Sequence, residues 1–297
     1  MIINIINLDK DGWILTKISK KLVINLRNLG HKVYLGKKPL KNVDVNHYII
    51  FLFQKENEAL YFGNTVNTSM LTHVNDEFRF NKLRKISEFL DAGIAFSNDH
   101  RKFIKSKSLG LKNIFFVLPP ADGDLEIKKI NFGIFTNLYR DGRKEEKIFY
   151  DIFSRVNPDF VKLTIIGKGW KPYVEKLRNK GVEIDYDRFF FRWNYLKKLQ
   201  SLDYLIYLGQ DEGSMSFMDA IQIGLKTIMI PQGFQKDLQK FITHKLDPSL
   251  KNFFSTINKI THQKKKFAEV KKILTWENYA KEHVMIWEKL IKKKLNH

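Results

Sequence analysis

Short apolar runs alternate with helically spaced apolar stripes along the chain, and the alternation predicts a repeated strand and helix order. Met1 to Leu8 (MIINIINL) is a β-branched run of the kind that forms a buried strand. Asp9 to Trp13 turns, with Gly12 as its flexible point. Ile14, Ile18, Leu22 and Leu26 then follow helical spacing until Asn28 to Gly30, and His31 to Leu35 begins a second strand. Tyr48 to Phe53 (YIIFLF) and, after a polar interval over 54–67, Ser69 to Val74 (SMLTHV) read as further strands. A helix over 80–90, a strand at Ala92 to Phe96, a helix from Ser97 to Lys107 capped by Ser97 or Asn98, and a strand at Asn113 to Leu118 complete this half. Pro119, Pro120 and the polar segment Ala121 to Lys129 read as a linker.

A second series starts at Ile130 to Thr136. Val161 to Ile166 is its next strand, followed by a helix over Tyr173 to Lys180 with Pro172 suited to the first turn, a short strand at Val182 to Tyr186 and a helix at Tyr195 to Ser201. Tyr204 to Ile230 (YLIYLGQDEGSMSFMDAIQIGLKTIMI) then reads as strand, acidic glycine-containing turn, helix and strand. Near the end, Trp276, Tyr279, Ala280, His283, Ile286, Trp287 and Leu290 mark one face of an amphipathic helix over Thr275 to Leu295.

Composition adds a strong charge bias. The 297 residues suit two α/β domains of ordinary size or one large one, with 43% hydrophobic residues to build cores. With 52 Lys+Arg against 32 Asp+Glu the formal charge is +20, so the partners to consider are polyanionic: nucleic acid, an acidic membrane surface or a phosphate-rich substrate. The lysines are spread through the sequence, which argues against a nucleic-acid stripe and makes nucleic acid an unlikely partner. Lys17, Lys20, Lys21 and Arg27 on the first helix, and the triplets 264–266 and 292–294, are either solvated faces or sites near acidic lipid. The absence of cysteine fits a cytoplasmic protein, and no apolar run approaches a membrane span or a signal peptide, so membrane contact is expected to be peripheral.

Candidate chemistry gathers at predicted strand ends. The turn at Asp211, Glu212, Gly213 and Ser214 feeds a helix N-terminus at the carboxyl edge of a parallel sheet, where α/β folds place phosphate-bearing ligands. Tyr139 to Lys147 (YRDGRKEEK) puts Arg140, Arg143, Lys144 and Lys147 in a loop entering a helix, suited either to a diphosphate or to solvent. Gly167 and Gly169 follow a strand and permit close backbone approach to a ligand. His73 at a strand end is placed to orient an acceptor hydroxyl, or else is bonded to a neighbouring loop. The aromatic group Phe189 to Phe191 with Trp193 either stacks a base or belongs to a core.

Two α/β series, a basic loop early in the second, a Gly-x-Gly after the next strand and an acidic glycine turn before a helix stand in one order. That order resembles the GT-B glycosyltransferases, and within them the retaining group called family four; the stretch DEGSMSFMDAIQIGLKTIMIPQGF is similar to that family's acidic turn, helix, strand and loop. The family pairs two glutamates eight positions apart. Here Asp219 lies eight beyond Asp211 (219 − 211 = 8) and seven beyond Glu212 (219 − 212 = 7), so the pair begins either at Asp211 or, with a one-residue shortening, at Glu212, and aspartate replaces the second glutamate. Thr136 and Asn137 stand where the family carries Gly-Arg, and Lys226 stands two positions after Gly224, where it carries proline.

The resemblance implies two Rossmann-like domains facing across a cleft: 1–121 for the acceptor, 122–274 for the nucleotide sugar, and 275–297 as a helix returning to the first domain. It implies transfer of a sugar from a UDP- or GDP-linked donor to a glycan, lipid-linked or other hydroxyl acceptor, as in polysaccharide biosynthesis, with retention and without metal or other cofactor. His73, Arg143, Lys144 and Asp211 are the catalytic candidates. Gly12, Arg140, Gly167, Gly169, Glu212, Gly213, Ser214, Met215 and Asp219 are the donor-binding candidates. The competing readings are a basic nucleic-acid-binding protein, a transferase that glycosylates DNA bases and a GT-B epimerase of sugar nucleotides.

Overall fold

The computed structural model describes residues 1–9, 13–55 and 64–296. The chain divides into two compact units, Met1–Leu125 with Val270–His297, and Glu126–Glu269.

The first unit runs β1 (Ile2–Ile6), α1 (Ile14–Asn28), β2 (Lys32–Gly36), β3 (Val45–Tyr48), β4 (Val66–Leu71), α2 (Glu77–Ser87), β5 (Ala92–Ala95), α3 (Asn98–Ser106) and β6 (Ile114–Phe116). Its strands lie in the order β2-β1-β3-β4-β5-β6, and every pairing is parallel. Helices on a parallel sheet bury both its faces, which is why β1 and β4 are apolar or closely packed at successive positions. Ile18, Leu22 and Leu26 seat α1 against the core formed with Ile3, Ile5 and Val45. Asp76 and Ser97 cap α2 and α3 by accepting from the backbone N–H groups of Arg79 and His100.

The second unit runs β7 (Ile130–Phe135), α4 (Glu146–Phe153), β8 (Val161–Ile166), α5 (Lys171–Arg178), β9 (Glu183–Asp187), α6 (Arg192–Gln200), β10 (Tyr204–Tyr207), α7 (Met215–Gln222), β11 (Lys226–Met229), α8 (Phe234–Asp237), β12 (His244–Lys245) and α9 (Phe253–Ile273). Its order is β12-β11-β10-β7-β8-β9, again parallel throughout. Sheet order reverses between β7 and β10, and such a switch point opens a crevice beyond the carboxyl ends of the two strands. Phe132, Phe149, Phe153 and Trp170 fill the core on one face of this sheet.

The last helix, α10 (Trp276–Leu295), belongs to the first unit. Thr275 caps it, and Tyr279, Ala280, His283, Trp287 and Leu290 form its buried face. The Trp287 indole N–H donates to the Thr68 hydroxyl at 3.0 Å, and Lys294 Nζ lies 2.9 Å from Asp91. His47 and His283 meet inside this seam, their ring centroids 5.2 Å apart.

Two sequence expectations need correction. The apolar run Tyr48 to Phe53 is not a strand: β3 ends at Tyr48, opposite Ile6, the last residue of β1. Beyond that register the chain turns, with the Gln54 N–H bonded to the Phe51 carbonyl at 3.2 Å and Ile49, Ile50 and Phe51 buried under the turn. The strand itself is hidden in sequence by Asn46 and His47, buried polar residues whose Oδ1 and Nδ1 meet Asn4 and Thr68 inside the core. The strand expected at Ser69 to Val74 is β4, shifted to Val66–Leu71 because Asn67, Thr68 and Ser69 are buried polar residues. Pro231 to Phe234, expected as a loop, leads into α8, β12 and the long helix α9.

Candidate functional site

In the second unit the carboxyl ends of β7 and β10 carry the chemistry. From β7 the chain passes through Thr136 to Leu138 into a turn closed by the Gly142 N–H on the Tyr139 carbonyl, and reaches Lys144 just before α4. The Lys144 side chain is only 7% exposed. Its ammonium donates to the Tyr207 hydroxyl at the end of β10, at 2.7 Å, and to the Asp211 carboxylate in the turn beyond. Tyr207 donates in turn to Asp211, and the Gly213 N–H reaches the same carboxylate at 3.2 Å. One lysine thus joins the two strands that flank the switch point.

The electrostatics of the cluster follow from its burial and hydrogen bonds. Burial alone would raise the Asp211 carboxyl, but the bonds from Lys144, Tyr207 and Gly213 outweigh it and hold the group below its ordinary range. Burial, helped by the bond to Asp211, pushes the Tyr207 phenol well above its usual value, so Tyr207 stays a neutral donor. Arg143 lies against the Tyr139 ring, its guanidinium carbon 4.1 Å from the centroid, and its Nε is 3.7 Å from Asp141. Arg140 is exposed in the same turn.

The spacing ambiguity between Asp211 and Glu212 resolves into two different environments. Asp211 is bonded into the cluster, whereas Glu212 is exposed and uses its backbone carbonyl to accept from the Phe234 N–H at 3.2 Å. Gly213 has φ +116, and a side chain there would press on the Phe234 ring. Ser214 is the N-cap residue of α7 and not part of its first turn; the first helical N–H groups are those of Met215 and Ser216, and Met215 is exposed.

Asp219 lies further along α7 and forms a second group. It accepts from the Tyr195 hydroxyl at 2.6 Å and from Arg192 at 3.3 Å, both on α6. Burial, together with the bond to Asp219, pushes the Tyr195 phenol up to about 12. A cavity of about 400 Å³ adjoins Asp219, lined also by Met218, Ile221, Gln222 and Phe241. Phe189, Phe190 and Phe191 before α6 and Trp193 in its first turn are exposed and so form no core.

The Gly-x-Gly after β8 is packed against the loop that leaves β7. A Cβ on Gly167, at φ +143, would stand 2.0 Å from the Thr136 carbonyl oxygen, and one on Gly169 would meet Leu138. The Trp170 indole donates to that same carbonyl at 2.8 Å, and the Lys168 N–H donates to the Asn137 side chain at 2.7 Å. The two glycines therefore fix the start of the basic loop by contact.

His73 belongs to the first unit, just past β4, exposed and in a left-handed backbone conformation at φ +55. Gly12 lies outside the described residues. Among the described residues no three His, Cys, Asp or Glu side chains converge on a common point, and no helix is long and apolar enough to cross a membrane. A cavity of about 560 Å³ bordered by Ile130, Tyr204 and Lys226 opens at the opposite edge of the second sheet, where those strands begin.

Sequence reading missed Tyr207, Tyr195 and Arg192. Tyr207 stands inside an apolar run, where the phenol counted as core, and Tyr195 and Arg192 reach Asp219 only through the packing of α6 beside α7.

No family model matches the chain, and no curated protein does. Solved structures similar to it include the apo form of the lipopolysaccharide outer core galactosyltransferase WaaB, 14% identical over 99% of this chain and 100% of that one, with a TM-score of 0.39. A glycosyltransferase from Rickettsia africae ESF-5 is 10% identical over 98% of each chain, with a TM-score of 0.40. HepE of Anabaena in complex with UDP and glucose is 12% identical over 100% of this chain and 99% of that one, with a TM-score of 0.36. At these identities and scores the likenesses are too distant to carry a ligand, an activity or a residue's role to this chain.

Proposed function

We propose that the second unit binds the diphosphate of a UDP- or GDP-linked sugar and that the protein is a GT-B glycosyltransferase of the retaining, family-four kind. The observation that carries this reading is the group Lys144, Tyr207 and Asp211 at the switch point between β7 and β10, next to the turn that opens α7. An ammonium has three donors; two are spent on Tyr207 and Asp211, leaving one for a phosphate oxygen. Arg143, resting on Tyr139, adds a guanidinium suited to bidentate contact with the same diphosphate. The N–H groups of Met215 and Ser216 add the positive end of a helix.

Breaking the bond between the sugar and the diphosphate leaves negative charge on the departing phosphate. Lys144, Arg143 and the α7 N–H groups stabilise that charge where it develops, without a metal. Asp219, held by Tyr195, accepts hydrogen bonds from the ribose hydroxyls, and the exposed aromatic residues before α6 offer a face to the base. Arg140, Gly167, Gly169, Glu212, Gly213 and Ser214 shape the donor site around these groups. His73 contacts the sugar or the acceptor, a glycan or lipid-linked hydroxyl. The protein acts in the cytoplasm, peripherally at an acidic membrane face.

The test is a panel of nucleotide sugars with thermal shift and slow donor hydrolysis as readouts, followed by NMR of the product anomer. Stabilisation by UDP or GDP and release of sugar from one donor support the reading. No response to any donor, nor to free UDP or GDP, sinks it.

A further inference from the structure

A cavity of about 390 Å³ in the first unit is lined by five cations, Arg101, Lys105, Lys112, Lys289 and Lys293, and by no carboxylate. It lies beside the edge strand β6, between α3 and α10, with Ile114, Phe115 and Leu290 as its apolar lining. None of the five takes part in an ion pair among the described residues.

Helix ends explain part of this charge. Lys105 is in the last turn of α3 and Lys293 in the last turn of α10, where the carbonyl ends favour cations. They do not explain the rest. Arg101 is near the start of α3, where a cation is disfavoured, Lys289 is in the body of α10, and Lys112 is in the loop before β6. Arg101 is also held in place, its guanidinium carbon 5.2 Å from the Phe116 ring centroid, and its Nε is buried without a hydrogen-bond partner. A buried donor left unpaired is costly, and five like charges facing one space repel. A phosphate group in the cavity relieves that repulsion.

We propose that this cavity is a binding site for a phosphate-bearing anion, separate from the donor site of the second unit. Its phosphate accepts from Arg101 and is surrounded by the four lysines, while Phe115 and Leu290 contact the group that carries it. The same chemistry is presented by an anionic lipid headgroup and by a soluble phosphate.

Two arms of one experiment separate these sources. Full-length protein is sedimented with vesicles of phosphatidylcholine, with and without phosphatidylglycerol, and titrated calorimetrically with inorganic pyrophosphate. Each arm is run on wild type, on Lys105→Glu/Lys289→Glu, on the charge-matched control Lys180→Glu/Lys251→Glu and on Arg101→Lys, which keeps the charge but removes Nε. Because Arg143 and Lys144 are intact in all four, binding lost between variants reads this cavity. A loss of at least about tenfold in Lys105→Glu/Lys289→Glu, absent from the control, supports the site; Arg101→Lys is expected to weaken binding less. Loss confined to the vesicle arm assigns a lipid headgroup, and loss in the pyrophosphate arm assigns a soluble phosphate. Equal losses in the two double variants, or no binding in either arm, overturns the proposal. Unchanged far-UV circular dichroism and unfolding temperature certify the fold of each variant.

Discussion

The Lys144 ammonium sits 2.7 Å from the Tyr207 hydroxyl, and both donate to the Asp211 carboxylate, so the loop after β7 and the end of β10 meet in a single hydrogen-bonded triangle. Lysine at its centre does two jobs. It neutralises a carboxylate that burial would otherwise disfavour, and under the function proposed above it also meets the diphosphate.

Replacing Lys144 by methionine keeps much of the side-chain bulk and removes the charge. A charge-assisted hydrogen bond is worth about 1.5–3 kcal/mol, so affinity for UDP or GDP is expected to fall roughly tenfold to a hundredfold. Tyr207→Phe leaves the ion pair intact and should cost about 1 kcal/mol or less in the same calorimetric titration. Equal effects of the two changes would place the diphosphate elsewhere.

Asp219 can be tested with the ligand changed as well as the protein. If it accepts from ribose hydroxyls, wild-type protein binds UDP more tightly than 2′,3′-dideoxy-UDP, and Asp219→Ala binds the two alike. Tyr195→Phe, which frees Asp219 from one donor, should retain the preference. A preference that survives in Asp219→Ala removes this residue from the ribose.

Glycine at 167 is required by contact, and that can be separated from backbone strain. Gly30→Ala, at φ +85 with nothing within 4 Å of the new Cβ, is expected to cost about 1–2 kcal/mol from left-handed backbone alone. Gly167→Ala adds a collision with the Thr136 carbonyl and should lower stability further and loosen the basic loop. Urea unfolding of the two variants, with nucleotide affinity measured beside it, gives the comparison. Equal costs would show that the loop simply moves aside.

The two buried histidines predict acid sensitivity in the first unit. Burial holds His47 far below its ordinary value, and the neighbouring His283 deepens the shift; burial also brings His283 from 6.5 down to about 4. Both are neutral in the fold and take up protons when unfolded. Their contribution is therefore fully present above pH about 6.5 and is lost as pH falls toward 4, where His283 alone accounts for on the order of 3 kcal/mol. Hydrogen exchange across α10 at pH 7 and pH 5, corrected for intrinsic rates, should show protection lost at pH 5, and His283→Phe should flatten the difference. Protection of α10 that does not change with pH contradicts this.

Much of the architecture was legible because buried parallel strands and amphipathic helices leave long regular patterns. Val161 to Ile166 is a strand at its expected bounds, and α1, α3 and α10 lie close to theirs. The misses share a cause. Asn46, His47, Asn67 and Thr68 are polar residues buried inside the first unit, so β3 and the start of β4 look like loop, while the apolar run after Tyr48 looks like strand. The candidate site was legible where its residues are neighbours in sequence, as with Arg143 and Lys144 or Asp211 to Ser214. Tyr207 facing Lys144, and Tyr195 facing Asp219, are products of strand order and helix packing, which sequence spacing does not contain.

The return of α10 to the first unit also makes that unit discontinuous in sequence. The second unit is one unbroken stretch of chain, Glu126–Glu269, and closes its core from that stretch alone. The core of the first unit is completed by Tyr279, Trp287 and Leu290, which lie more than 150 residues beyond Leu125 (279 − 125 = 154). A truncation within α10 would therefore leave an apolar face of the first sheet uncovered.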